Sequence, residues 1–212
     1  MSGFFYVQKV TSNTKIMFKK RFKVLVACEE SQAITKEFRN MGHDAYSCDL
    51  LPCSGGHPEW HYQEDVFEVI KKQEWDIMIA HPPCTYLAVS GARWMYNKDG
   101  SVNEERLKNQ HDALDFVKRL MDAPIKSIAI ENPISVISSQ IRKPDQIVHP
   151  YHFGDKASKS TCLWLKNLPK LEHTEVVEKG EFKEWIDKKS GKLKKQAKWY
   201  YDALITAKSS AE

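Results

Sequence analysis

Residues 75–84, WDIMIAHPPC, run from a short apolar stretch straight into two prolines and a cysteine. Trp75–Ala80 has the length and content of a strand buried on both faces, as in a parallel sheet. The paired prolines stiffen the chain and fix its direction, so Cys84 is held at the strand's end. The same grammar recurs on either side. Phe22–Ala27 (FKVLVA), His43–Asp49 (HDAYSCD) and Ser127–Ile130 (SIAI) read as strands, the last running into a Glu131-Asn132-Pro133 loop. Between them, Ser31–Met41 reads as a helix, with Ala33, Ile34, Phe38 and Met41 at helical spacing and Gly42 as its stop. Val66–Gln73 and Glu104–Met121 are the other two helices. Leu107, His111, Leu114, Val117 and Leu120 mark the apolar face of the longer one, which makes His111 a core histidine. Leu50–Tyr62 and His81 to about Val102 read as loops.

This alternation predicts an α/β fold, a Rossmann-like, doubly wound, mostly parallel sheet. Ligands in such folds bind beyond the carboxyl ends of the strands. The polar clusters fall there: Cys28–Gln32, Asp49, His81–Thr85 and Glu131–Pro133. Three segments are expected: a basic leader over 1–21, the main domain over 22–175 and a Lys-rich C-terminal extension over 176–212. Lys179–Lys198 carries eight lysines against three acids. A solvated hairpin or tail is the favoured reading of that stretch. The sharper one is a phosphate-tracking patch with Trp185, Trp199 and Tyr200 interleaved. Thr161–Leu165 is a further strand, with Cys162 in the core.

The chain has 212 residues, with 32 Lys and Arg against 28 Asp and Glu, a net charge of +4. That tolerates a polyanionic partner without demanding one. Hydrophobic residues at 42% support a real core and argue against wholesale disorder. No apolar run is long enough to span a membrane, and the N-terminus has no secretory pattern. Five scattered cysteines are an unlikely disulfide framework. A reducing, cytoplasmic setting follows.

Cys84 and Glu131 end neighbouring strands. A thiol nucleophile beside a partly buried carboxylic acid, whose burial would favour a held proton, is a covalent-catalysis pair. Pro83-Cys84 followed one strand later by Glu131-Asn132-Pro133 resembles the cytosine-C5 DNA methyltransferase family, which has a Pro-Cys loop and a Glu-Asn-Val loop. The likeness covers about residues 22–135. The segments VACEESQ, CSGGHPEW, AHPPCTYLAVSGARW and FGDKASKSTCLWLKNLP are similar to a compact, phage-associated branch of it. The resemblance implies a class I methyltransferase fold, S-adenosylmethionine as cofactor and cytosine in DNA as substrate. It implies Cys84 as nucleophile at C6 and Glu131 as partner of N3, with Pro83 and Asn132 beside them. It gives Asp49 to the cofactor's ribose and Asp65 to its adenine. Ala27, Cys28, Glu29, Glu30 and Pro82 would complete the cofactor's surroundings, Glu29 or Glu30 facing its ammonium group. Thr85, Ser90, Arg93 and Lys159 fall to the substrate, the Ser90–Trp94 stretch as a mobile loop.

Two departures stand out. The first turn, Ala27–Gln32, has no glycine, which predicts a wider or differently shaped turn. Only 79 residues follow Pro133, too few for a full target-recognition domain. A partner protein supplying recognition, free cytosine nucleotides as substrate, or a non-catalytic nucleotide or nucleic-acid binder on the same scaffold are the alternatives. Cys53, His57 and His61 have spacings a zinc site can use, but no Cys-x-x-Cys pair supports them, and no metal is expected. Trp60 is read as core, with base stacking as the alternative.

Overall fold

The last four residues of β1 (Lys23–Ala27) are buried, and the strand lies at the centre of the sheet. In a computed structural model of the chain, residues 20–188 and 190–209 are described. The basic leader expected over 1–21 lies outside the described residues except for Lys20 and Arg21, which pair with Asp76 and Asp44. After β1 come α1 (Ala33–Asn40), β2 (Asp44–Asp49), β3 (His61–Gln63), α2 (Val66–Lys72), β4 (Ile77–Ala80), α3 (Glu104–Met121) and β5 (Ser127–Pro133). Then follow α4 (Ile137–Gln140), β6 (Gln146–Val148), β7 (Thr161–Lys166), β8 (Phe182–Ile186), β9 (Leu193–Ala197) and α5 (Lys198–Ser209).

Seven strands form one sheet in the order β3-β2-β1-β4-β5-β7-β6, and β8 pairs with β9 separately. β1 pairs in parallel with β2 and β4, β2 with β3, and β4 with β5, while β7 runs antiparallel to β5. This is the expected Rossmann-like, doubly wound, mostly parallel sheet. Apolar residues cover both of its faces. Leu25, Met78, Ile128, Val69, Val117 and Leu120 belong to one buried cluster; Val24, Val26, Ile34, Ala45 and Ile79 belong to another. Each fully buried aliphatic side chain contributes roughly 1.5–3 kcal/mol.

Three elements differ from expectation. β3 lies inside the stretch read as a loop; His61 holds it there, its ring bonded to the Ser47 hydroxyl and the Leu51 carbonyl. β5 continues to Pro133, because β7 pairs with it as far as Pro133↔Thr161. Glu131 and Asn132 are therefore strand residues, not loop residues. His111 is exposed, because the core face of α3 is carried instead by Leu114, Val117 and Leu120.

By contacts the chain divides into two units. One holds the described residues up to Ile147 together with Thr161–Lys170. The other holds Val148–Ser160 and the described residues from Leu171 onward. Among the described residues no helix is long and apolar enough to cross a membrane.

Candidate active site

The register of the sheet builds the site. Ala80, the last residue of β4, pairs with Ile130 of β5. Glu131 and Asn132 therefore project past the end of β4, alongside the His81–Cys84 turn. The amide of Asn132 donates from Nδ2 to the Pro82 carbonyl at 2.9 Å. His81 Nδ1 lies 3.3 Å from Glu131 Oε2, with both side chains largely buried. The two motifs thus form one bonded assembly.

More bonds hold the turn that carries the thiol. The backbone amides of Leu87 and Ala88 both donate to the Cys84 carbonyl. From α3, Arg106 donates to the Thr85 carbonyl at 3.0 Å and Gln110 to the Tyr86 carbonyl at 3.0 Å. Arg106 and Gln110 are four residues apart, so they share a helix face. Val89 N–H reaches the Ile134 carbonyl and Val136 N–H reaches the Leu87 carbonyl, tying the far side of the turn to the chain after β5. Pro82 is buried, while Pro83, Cys84 and Thr85 are exposed.

All five cysteines are free, and Cys84 is the exposed one. Burial pushes the thiols of Cys28 and Cys48 up to about 12, with nearby Asp49 adding to the shift in both. Burial, and then Glu131, raise that of Cys162, which sits in the core as expected. These three thiols stay neutral and are poor nucleophiles.

Beside the turn lies a cavity of about 270 Å³, walled by Cys28, Asp49, Glu64, Asp65, Val66, Pro83, Tyr86 and Phe116 among others. Of the residues expected at a cofactor, Cys28, Asp49 and Asp65 line it. Ala27 does not: its side chain is wholly buried in the core. Pro82 is buried and is also absent from the wall. Glu29 turns instead to the start of α1, where its carboxylate accepts from the amides of Ile34 and Thr35 and the hydroxyl of Thr35. Glu30 accepts from the Ser54 hydroxyl at 2.6 Å. Both acids fasten loops rather than face the cavity.

The glycine-free turn takes a left-handed conformation all the same, with Cys28 at φ 60° and Gln32 at φ 56°. Such a residue costs roughly 1–2 kcal/mol. Gln32 is fully buried and offsets that cost. Its Nε2 donates to the Ser47 hydroxyl and the His57 carbonyl, while its Oε1 accepts from Cys53 Sγ and the His57 amide. Gly55 packs so closely on the Ser31 carbonyl and on Gln32 that a Cβ has no room. This contact accounts for VACEESQ and CSGGHPEW together, and nothing in the sequence pattern announces it. Cys53, His57 and His61 are each engaged in such bonds, His57 with Glu59. Trp60 is neither core nor open platform: it lies between the stacked His57 ring at 3.8 Å and the Arg39 guanidinium at 4.1 Å.

Ser90 and Arg93 are exposed on a 3-10 segment, Val89–Met95, with Arg93 lying over a 57% exposed Trp94. Lys159 belongs to the second unit, on the irregular stretch before β7. Arg142 is structural, paired with Asp145 and bonded to the Leu165 carbonyl. Arg106 and Gln110 are the site's contributors that sequence reading missed; His81 falls in the strand-end cluster but has no role in that reading.

Neither a protein-family model nor a curated protein matches the sequence. Among solved structures, the chain is similar to a protein described as a DNA modification methyltransferase encoded within an E. coli prophage. Identity is 13%, the match covers 68% of this chain and 46% of that one, and the TM-score is 0.41. It is also similar to WbdD, a bifunctional kinase-methyltransferase, at 10% identity over 82% of this chain and 41% of that one, with a TM-score of 0.39. The match spans less than half the length of either protein.

Proposed function

We propose that the protein is an S-adenosylmethionine-dependent methyltransferase acting on C5 of cytosine in DNA, through a covalent bond between Cys84 and C6. The observation that carries this reading is the bond from Asn132 to the Pro82 carbonyl. It fixes the turn bearing the exposed thiol to the strand bearing Glu131, so nucleophile and acid belong to one rigid site.

Cytosine C5 is a poor nucleophile until the 5,6 double bond is polarised. Attack of the Cys84 thiolate at C6 breaks the 5,6 double bond and moves electron density to C5. Once C5 carries the methyl group, loss of its proton with elimination of the thiolate from C6 restores the double bond and frees Cys84. A hydrogen bond from the Glu131 carboxyl to N3 stabilises the charge that develops on the ring. His81 Nδ1, 3.3 Å from Glu131 Oε2, limits that carboxyl's rotamers before the base arrives. C6 is unreachable inside a duplex, so the target base must leave the stack.

The cavity suits the cofactor by its acceptors and its apolar rings. Its wall contains Asp49, Asp65 and a Glu64 paired with Lys72, and no Lys or Arg lines it, which favours a cationic, hydroxyl-bearing nucleoside over a phosphorylated one. Asp49 and Asp65 would accept from hydroxyl and amino hydrogens, and Val66, Tyr86 and Phe116 would contact a flat ring. When bound, S-adenosylmethionine supplies the electrophilic methyl group.

The test is incubation with methyl-labelled S-adenosylmethionine and either duplex DNA or a mixture of cytidine nucleotides. Label should enter DNA at cytosine C5 and vanish with Cys84→Ala, an exposed position where the fold survives. Label retained in that variant would sink the covalent mechanism. Label in nucleotides alone would replace the DNA substrate.

A further inference from the structure

Among the described residues, the β8–β9 hairpin is a two-stranded ribbon with no third strand beside it. Its register pairs Phe182 with Ala197, Glu184 with Lys195, Trp185 with Lys194 and Ile186 with Leu193. One face turns to α5, where the Trp185 ring lies 6.2 Å from Tyr201 and the Lys183 ammonium 6.0 Å from the same ring. Side chains alternate along a strand, so Phe182, Glu184 and Ile186 lie on the other face with Leu193 and Lys195. That face is open: Ile186 is 61% and Leu193 63% exposed.

Bonds tie the described residues of the tip together. The Asp187 carboxylate accepts from the amide and hydroxyl of Ser190 and pairs with Lys194 at 3.0 Å. The Asp187 amide closes on the Lys192 carbonyl, and Gly191 makes the left-handed step at φ 65°. Glu181 is likewise taken, by Lys198 at 2.6 Å. Asp187 and Glu181 are thus used internally, while Glu184 stands on the open face opposite Lys195. Lys188 and Lys192 stand exposed at the tip with no ion pair among the described residues. Directly behind them sits the Ile186–Leu193 pair.

We propose that this hairpin is a groove-entering ribbon for duplex DNA, with Lys188 and Lys192 on phosphates and the Ile186–Leu193 pair against base edges. The major groove admits a two-stranded ribbon, and apolar side chains there meet the thymine methyl group. A lysine-tipped apolar pair suits a polyanion whose groove carries apolar methyl groups. It suits a protein interface poorly, since lysine is depleted there. The ribbon shares only its substrate class with the proposed methyl transfer, and its grip on DNA needs no cofactor.

The experiment is fluorescence anisotropy of the full chain with a labelled duplex across a salt series, without S-adenosylmethionine. Replacing Lys188 and Lys192 together with Gln should reduce the slope of log affinity on log salt by about 1.8, two phosphate contacts' worth. Replacing Ile186 and Leu193 together with Ser should weaken binding on the order of tenfold and leave the slope unchanged, since aliphatic contacts release no counterions. Wild-type affinity and slope in both variants would overturn the proposal. So would binding to vesicles rich in anionic lipid, through the same lysines, in place of DNA. The methyl-transfer assay on the parent chain separates the two readings: binding that depends on these four residues, with no label transferred to DNA, leaves the ribbon standing while the methyl transfer fails.

Discussion

At the scale of single residues, the site rests on side chains that bond rather than react. Gln32 makes four hydrogen bonds from a wholly buried position, joining the first turn to the Cys53–Trp60 loop. Gln32→Ala keeps the awkward backbone angle and orphans the half-buried His57 amide. It should cost about 2–4 kcal/mol, read as a lower urea midpoint with unchanged slope. Cys28→Gly should stay within about 1 kcal/mol of the parent, because glycine takes φ 60° without strain while losing the thiol's packing and stiffness. A large loss there would mean that the Cys28 side chain, not the backbone path, shapes the cavity wall. The cysteines can also be ranked by alkylation of the folded chain at pH 8 and peptide mapping. Cys84 should react first, while Cys28, Cys48 and Cys162 stay protected, since exposure and thiolate character act together. Early labelling of Cys28 would contradict the neutral, packed thiol on which this ranking depends.

At the scale of elements, an antiparallel strand on a parallel sheet decides where the acid goes. β7 holds β5 extended past the end of β4, and Glu131 arrives beside His81 on a hydrogen-bonded strand instead of a loop. The α3 face then grips the thiol turn from the other side through Arg106 and Gln110. Replacing both with Ala should lower methyl transfer on the order of a hundredfold through a misplaced thiol, with a melting temperature close to the parent's. A parallel collapse of stability would make the pair structural only. Much of this arrangement was legible in the sequence: β1 and β4 as apolar runs, β2 as a strand, α3 to its terminal residues, and Cys84 in the turn just past the end of β4. Three things were not. β3 is three residues long and depends on the contacts of His61 more than on any apolar pattern. The extension of β5 depends on a partner strand some thirty residues away. Glu29 faces α1 rather than the cavity because unpaired amides at a helix start are nearer than any ligand, and spacing alone does not choose between those acceptors.

At the scale of the whole molecule, both units carry histidines that folding keeps neutral, so acid should reach both. In the first unit His43 is buried, packed against the Phe22 and Phe38 rings, with its Nδ1 facing the Phe22 amide. Burial lowers its pKa from the ordinary 6.5. In the second unit burial lowers both His149 and His152. Lys179 pushes His149 further down, and His173, His149 and Lys179 push His152 further down. The sign follows from proton binding. Below about 6.5 the unfolded chain binds protons at these sites that the folded chain refuses, so their contribution is complete above that pH and is lost as pH falls below it. The carboxylates act in a separate, more acidic window. Ser101 holds Asp99 down and Ser190 holds Asp187 down, so their contribution persists until pH falls below the ordinary carboxylate range. Calorimetry at steps from pH 7.5 to 5 should therefore show a first loss of stability between about 6.5 and 5. His43→Gln should remove that loss from the first unit alone, and the paired His149→Gln and His152→Gln from the second. Melting temperatures that stay flat across this interval, and fall only near pH 4, would mean that the imidazoles take up protons in the folded state as readily as in the unfolded one.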